Sequence, residues 1–411
     1  MCQDELDLLL DTMLSEDPAS AVERAATAFD RIAAPFGKSL VLFGAGGIGK
    51  KTAAGLRKVG VEPRAFADNN QALWGTKVAG IPVFSPAEAA AKFCDDATFV
   101  CTIWRGEGRE HMGDRMRQLA DLGCRRVVPF GQLFWKYAEI FTPHYAFDLP
   151  DKVLRQRADV RKAFSLFRDR ASREEFLAQV RWRLYLDFDG LPDPVAHAIY
   201  FPDDLVHWAP HETFVDAGAF DGDTIRNLLA RPGQESAEVI AFEPDPVNFQ
   251  KLQEYAAGLP VCARSNIEVR KLALGARREK LFFAAFGTPS SMMAPSGIEV
   301  QVVPLDEVLG DRRCTTLKMD IEGAELDALE GARRCIRRDM PLLAICCYHR
   351  QDHLWKVPLL IDSISDDYRF FLRPHLLEVW DLVCYAIPKD RLLCNASESG
   401  TGDDRRETPT T

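Results

Sequence analysis

Residues 214–224 read Phe-Val-Asp-Ala-Gly-Ala-Phe-Asp-Gly-Asp-Thr, and residues 241–246 read Ala-Phe-Glu-Pro-Asp-Pro. The first run is apolar, stops at a glycine-bearing turn and then opens a helix. The second is another apolar run, one strand-helix-strand step later, closing on Glu243. That pairing restricts the segment to a parallel βαβ unit, whose ligand sits beyond the carboxyl ends of the strands. A carboxylate at the end of the second strand is placed to take the two hydroxyls of a ribose.

The charge of the turn narrows the nucleoside. A dinucleotide fold keeps this turn free of acids, because its backbone N–H groups and the helix N-terminus must cradle a pyrophosphate. Here Asp216, Asp221 and Asp223 surround Gly218, Ala219, Phe220 and Gly222. Like charges about 4 Å apart repel by roughly 1–4 kcal/mol, so a pyrophosphate is disfavoured and a cation favoured. S-adenosylmethionine fits, with a ribose for Glu243, an ammonium and a sulfonium for the acids, and no phosphate. The competing reading is an ordinary strand-to-helix turn whose aspartates cap the helix.

With 411 residues the chain exceeds one compact core and points to two domains. A net charge of −10 argues against a phosphate-neutralising surface and hence against nucleic acid as partner. No run reaches the roughly 18 apolar residues needed to cross a bilayer, and the start lacks a basic segment ahead of an apolar one, so a cytoplasmic protein with no membrane span is expected. The eleven cysteines form no C-x-x-C pair and read as free buried thiols. A homo-oligomer is left open.

Residues 1–36 carry helical periodicity, with Leu6, Leu9, Leu10 and Met13 on one face. A second glycine turn follows. Residues 39–43 read as a strand, Gly44-Ala45-Gly46-Gly47-Ile48-Gly49 as a G-x-G-x-x-G turn opening a helix, and residues 63–67 as a return strand ending on Asp68. Further strands at 98–103 and 126–129 give a small doubly wound domain over 37–146 with at least four strands. This turn holds no acid and precedes Lys50 and Lys51, so a phosphate-bearing nucleotide, NAD(P) or a sugar nucleotide, is electrostatically acceptable at Gly44, Gly46, Gly47, Gly49 and Asp68. Glycines there equally serve tight helix packing. A hydride-transferring oxidoreductase or a regulator built on this turn is the alternative function, although no Y-x-x-x-K pair follows it. Residues 147–210 read as a helical connector, 211–394 as a second α/β domain, and 395–411 as a disordered polar tail.

Residues 316–332 supply the second chemical element. An apolar strand ends on Asp320, followed almost at once by Glu322, Glu325 and a helix, which puts these acids at the ligand-binding edge of a parallel sheet. Helix capping also accounts for acids in a first turn, less so for the strand-end Asp320.

Five ordered motifs carry a resemblance: Val215-Asp216-Ala217-Gly218-Ala219, Phe242-Glu243-Pro244, Leu272-Ala273-Leu274-Gly275, Pro304-Leu305-Asp306-Glu307-Val308-Leu309, and Leu317-Lys318-Met319-Asp320-Ile321-Glu322-Gly323-Ala324-Glu325. Together they resemble the FkbM family of S-adenosylmethionine-dependent methyltransferases over roughly residues 211–390. The resemblance implies a class I methyltransferase fold with a seven-stranded sheet whose last strand is antiparallel. It also implies methyl transfer, typically to a hydroxyl on a sugar, glycan or natural-product scaffold. Asp216, Gly218, Ala219, Phe220, Asp221, Gly222, Glu243, Pro244, Asp245, Ala273 and Asp320 are then the expected cofactor residues. Where many members carry an acid, this chain reads Ala344-Ile345-Cys346-Cys347-Tyr348-His349, so the proton acceptor must be sought elsewhere. His349, with an ordinary pKa near 6.5, is one candidate base; Asp320 is the rival and Glu322 a neighbour. The same three side chains are the weak candidates for a divalent metal.

Overall fold

The computed structural model describes residues 3–105, 108, 110–284, 292–293 and 297–393. The tail expected to be disordered, 395–411, lies outside the described residues. Two α/β layers dominate. The amino-terminal sheet has six strands, β1 (Leu40–Phe43), β2 (Ala65–Ala67), β3 (Lys77–Val78), β4 (Ile81–Phe84), β5 (Thr98–Cys101) and β6 (Val127–Pro129), in the order β3-β4-β2-β1-β5-β6. Only β3 pairs antiparallel. The sequence reading foresaw four of these and missed the hairpin β3–β4. Its turn, Ala79-Gly80 with φ of +50° and +83°, carries little apolar signal.

Three further strands, β7 (Thr213–Ala217), β8 (Glu238–Phe242) and β9 (Ile267–Arg270), open the second layer. Next come β10 (Ala273–Leu274), β11 (Glu279–Ala284), β12 (Met292–Met293) and β13 (Ile298–Val303), a separate four-stranded sheet in the order β10-β13-β11-β12. In β13, Ile298, Glu299 and Gln301 are exposed while Val300, Val302 and Val303 are buried, as suits a sheet wetted on one side. The chain then returns as β14 (Thr316–Met319), β15 (Leu342–Cys346), β16 (Tyr368–Pro374) and β17 (Leu382–Pro388). The main sheet runs β16-β17-β15-β14-β7-β8-β9, with β17 antiparallel to both neighbours. Its central strands β7, β14 and β15 are buried almost throughout, the pattern of parallel strands covered on both faces. The reversal of strand order beside β7 creates the crevice where a ligand binds.

Two helices replace the single periodic stretch expected at the start, Gln3–Leu14 and Pro18–Ala33, the second capped by Asp17. Leu6, Leu10 and Leu14 pack into the core of the second layer, whereas Phe29 and Ala33 pack into that of the first. Helix Arg170–Tyr185 ties the layers together as well. Its Phe176, Val180 and Leu184 join one core, and its Trp182 the other. Among the described residues the cysteines are free thiols, and no helix is long and apolar enough to cross a membrane.

Candidate active site

At the carboxyl edge of β7, β8 and β14 lies a cavity of about 590 Å³. The turn after β7 forms its floor and depends on glycine at one position. Gly218 has φ +81°, and a Cβ there would come within 1.9 Å of the Asp320 carbonyl oxygen. The bare backbone therefore lets the β7 and β14 turns touch. The N–H groups of Gly218 and Ala219 both donate to the Phe242 carbonyl at 3.0 Å, which stitches the turn to β8.

Glu243 lines the cavity and is nearly buried. Its Oε2 accepts the Phe220 N–H at 2.9 Å and its Oε1 the Asp245 N–H at 2.8 Å. Burial raises its pKa to about 7, against those two N–H groups, which favour the charged form. Phe220, Gly218, Pro244 and Ala273 also line the cavity, as do Asp223 and Thr224 from the helix start.

Other expected cofactor residues are placed elsewhere. Asp216 is fully buried and absent from the cavity wall. Lys318 lies 3.0 Å from it and donates to the Gly218 carbonyl at 2.6 Å, so a side-chain ammonium occupies the position in which a ligand's cation was expected. Burial opposes the charge on Lys318, but Asp216, Asp320 and Asp223 outweigh it and raise its pKa. Asp221 pairs with Arg226 at 2.6 Å on the outside of the turn. Gly222, with φ +89°, leaves room for the Tyr255 ring, and Ala219 is buried. Asp245 is the N-cap of helix Pro246–Gly258, accepting from Val247 and Asn248. The capping reading accounts for Asp245, the ion pair for Asp216 and Asp221.

Around β14 and β15 the structure brings together every candidate of the second motif. Asp320 and Glu322 line the cavity. Glu322 adopts φ +55° and Gly323 +100°, so the chain turns sharply straight after the strand. Asp320 Oδ2 accepts the Tyr200 hydroxyl at 2.8 Å, while its Oδ1 lies 3.3 Å from His349 Nε2. His349 itself is completely buried and does not reach the wall. Its Nδ1 lies 2.8 Å from Glu325 Oε1, and Glu325 Oε2 is 3.1 Å from His353 Nδ1. Burial would lower the His349 pKa, but Glu325, Glu322 and Asp320 raise it to about 10. Burial likewise pushes Glu325 up, yet the two histidines hold it well below the usual carboxylate range. Glu322 goes the other way, raised to about 8 chiefly by burial. Among the described residues no set of three or more His, Cys, Asp or Glu groups could hold a metal ion.

Tyr200 reaches the wall from the end of the connector, directly before β7, where the sequence allows either helical packing or a cap on the pocket. Sequence reasoning missed Tyr348, the residue after Cys347, and Trp380 and Asp381 from the loop between β16 and β17. Burial raises Asp381 to about 6, and Tyr348 hydrogen-bonds it. Trp104, Arg105 and Tyr145 come from the amino-terminal layer. The non-glycine positive φ at Tyr200 and Asp381, +69° and +49°, has no sequence signature.

Two glycines of the amino-terminal turn, Gly44 and Gly49, are required by close packing. A Cβ on Gly44 would meet the Ile103 side chain at 2.5 Å, and one on Gly49 the Gly44 carbonyl at 1.9 Å. Gly46 and Gly47 are exposed. Asp68 turns back onto the loop, accepting the N–H of Ala45 at 2.7 Å and of Asn70 at 2.8 Å.

Three comparisons bear on this geometry. The methyltransferase FkbM domain family matches residues 216–373. No curated protein matches the chain. Among solved structures, the methyltransferase FkbM from Methylobacillus flagellatus KT is similar over 93% of this chain and 98% of its own, with a TM-score of 0.72 and 25% sequence identity. The chain, with its six-stranded amino-terminal sheet and seven-stranded mixed sheet, thus carries an FkbM methyltransferase domain at residues 216–373.

Proposed function

We propose that the protein transfers a methyl group from S-adenosylmethionine to a hydroxyl of a small-molecule or glycan acceptor. The observation that carries this reading is the convergence of the Gly218 turn, Glu243, Asp320 and Glu322 on one cavity. Its volume lies inside the range of about 300–1,000 Å³ typical of small-molecule sites. The residues present fit the cofactor. A carboxylate offers about four lone-pair sites, and two on Glu243 are taken by backbone N–H groups, which leaves two for ribose hydroxyls. Leu272, Ala273 and Leu274 offer an apolar wall for a base, and Asp223 an acid for a cation. When bound, the cofactor supplies an electrophilic methyl carbon.

The acceptor hydroxyl must be aligned and must lose its proton as it attacks. His349 is the wrong group for that task, being buried behind Asp320 and charged up to about pH 10. Both Asp320 oxygens already face donors, Tyr200 and His349, so Asp320 serves as a positioning group. Glu322 lines the cavity, has a pKa raised to about 8, and its Oε2 has no hydrogen-bond donor among the described residues, with His349 Nε2 at 3.8 Å. We assign proton acceptance to Glu322.

Calorimetry with S-adenosylhomocysteine, paired with transfer of a labelled methyl group to a glycan and sugar-nucleotide pool, tests the reading. Wild-type protein is expected to bind, and Glu243→Ala to weaken binding at least tenfold, about 1.4 kcal/mol. Failure of the wild type to bind removes the proposal.

A further inference from the structure

The cavity residues supplied by the end of β5 and by the loop between β16 and β17 differ in chemistry from the cofactor residues. Trp104 and Arg105 follow the carboxyl end of β5, and Trp380 lies between β16 and β17, so the two layers meet on one wall. The Trp104 and Trp380 rings are 4.7 Å apart between centroids. Tyr145 packs edge-on against Trp380 at 5.0 Å. Both indole Nε1–H groups are buried donors with no partner among the described residues. Those N–H groups are closed off from solvent, so what the two rings offer the cavity is their faces. Arg105 adds an exposed guanidinium at the rim with no ion pair among the described residues. The other cation on the wall, Lys318, is already held by Asp216 and the Gly218 carbonyl.

We propose that Trp104, Arg105 and Trp380 form the acceptor subsite and that they recognise an anionic oxygen group, a phosphate or carboxylate, carried beside the hydroxyl that is methylated. The exposed Arg105 guanidinium, with no ion pair among the described residues, matches such a group, and its planar fork suits it bidentately. The aromatic faces supply a stacking surface for the ring that bears it. Asp320, Glu322 and Asp381 line the cavity as well; Glu322, with its pKa near 8, is mostly neutral at pH 7, and Asp320 and Asp381 already accept from Tyr200 and Tyr348, so Arg105 is the group left to meet the anion. The amino-terminal layer thereby becomes the specificity module of the methyltransferase. The glycine turn contributes indirectly, since bare Gly44 lets Ile103 seat against it and so sets the chain leading to Trp104.

This inference rests on the methyl-transfer reading and is tested separately from it. Full-length protein saturated with S-adenosylhomocysteine is titrated by calorimetry with glucose 1-phosphate, glucuronate and methyl glucoside. At least one anionic sugar is expected to bind tenfold or more tighter than the neutral one, and the two anionic arms tell phosphate from carboxylate. Arg105→Ala should erase the preference and leave S-adenosylhomocysteine affinity unchanged. Arg105→Lys should restore it in part, and Trp104→Phe should weaken it while keeping the ring. Equal binding of neutral and anionic sugars overturns the proposal. So does a wild type that ignores every anionic probe at millimolar concentration, or a preference that survives Arg105→Ala. Loss of S-adenosylhomocysteine binding in the wild type instead strikes the methyl-transfer reading, since the same titrations run without it still read the anion preference.

Discussion

Glu322 shows how one side chain's environment decides what it can do. It shares a turn with Asp320, yet burial lifts it to about 8, whereas Asp320 accepts a tyrosine hydroxyl and faces a charged histidine. Below its pKa Glu322 carries the proton and cannot accept another. The rate of methyl transfer is therefore expected to rise with pH through about 8, and Glu322→Gln to flatten that limb and slow the reaction by about 10²–10⁴-fold, the usual worth of a general base. A rate profile level across this region, or one that Glu322→Gln leaves intact, would exclude the assignment. His349 is separated from the cavity by Asp320, and no limb below about pH 10 belongs to it. The sequence places both residues at a strand end, but it cannot reveal that Glu325 lies between His349 and His353, close to both.

The loop between β16 and β17 is the element that most depends on another layer. Glu378, with φ +65°, sits in it almost fully buried, 3.4 Å from Arg115 of helix Met112–Asp121. Glu378 also accepts the Met112 N–H at 2.7 Å, and Arg115 donates to the carbonyls of Ile103 and Glu110. This cluster ties the segment bearing Trp104 to the loop bearing Trp380. Removing one partner leaves a buried charge, so Arg115→Ala is expected to cost about 3–5 kcal/mol by denaturant titration. Replacing both, as Arg115→Met with Glu378→Gln, should cost less than the sum of the single changes, because the pair is coupled. Additive losses would show that the contact carries no coupling.

For the molecule as a whole, buried ionisable groups set a pH dependence of stability. Burial raises Glu175, Glu243 and Glu378 to about 7 from 4.5. Their folded forms hold protons that the unfolded chain releases, so their stabilisation is complete below about pH 4.5 and lost as the pH climbs to about 7. His349, raised to about 10 from 6.5, adds stability that is present below 6.5 and lost on rising through 10. Glu325 acts oppositely, because its lowered pKa stabilises above 4.5 and that contribution is lost on acidification. The melting temperature is thus expected to peak under mildly acidic conditions, near about pH 5, and to decline steadily into the alkaline range. Differential scanning calorimetry across pH 4–10 checks this, and a melting temperature that climbs from 5 to 9 would contradict it.

Much was legible from local pattern alone. Apolar runs, glycine turns and a strand-end acid are short-range signals, so β7, β8, β14 and β15, the Gly218 turn, Glu243, Asp320 and Glu322 can be placed at one sheet edge from sequence. Charge in a turn says which ligand is disfavoured, but it does not say which acid faces the ligand. Tertiary structure decided that Asp216 turns to Lys318, Asp221 to Arg226 and Asp245 to its own helix, leaving Glu243, Asp223, Asp320 and Glu322 on the wall. It also decided that Trp104, Arg105 and Tyr145, more than two hundred residues before Trp380, complete the cavity. Burial, pairing and a wall shared by distant segments are sums over neighbours that no local window of sequence contains.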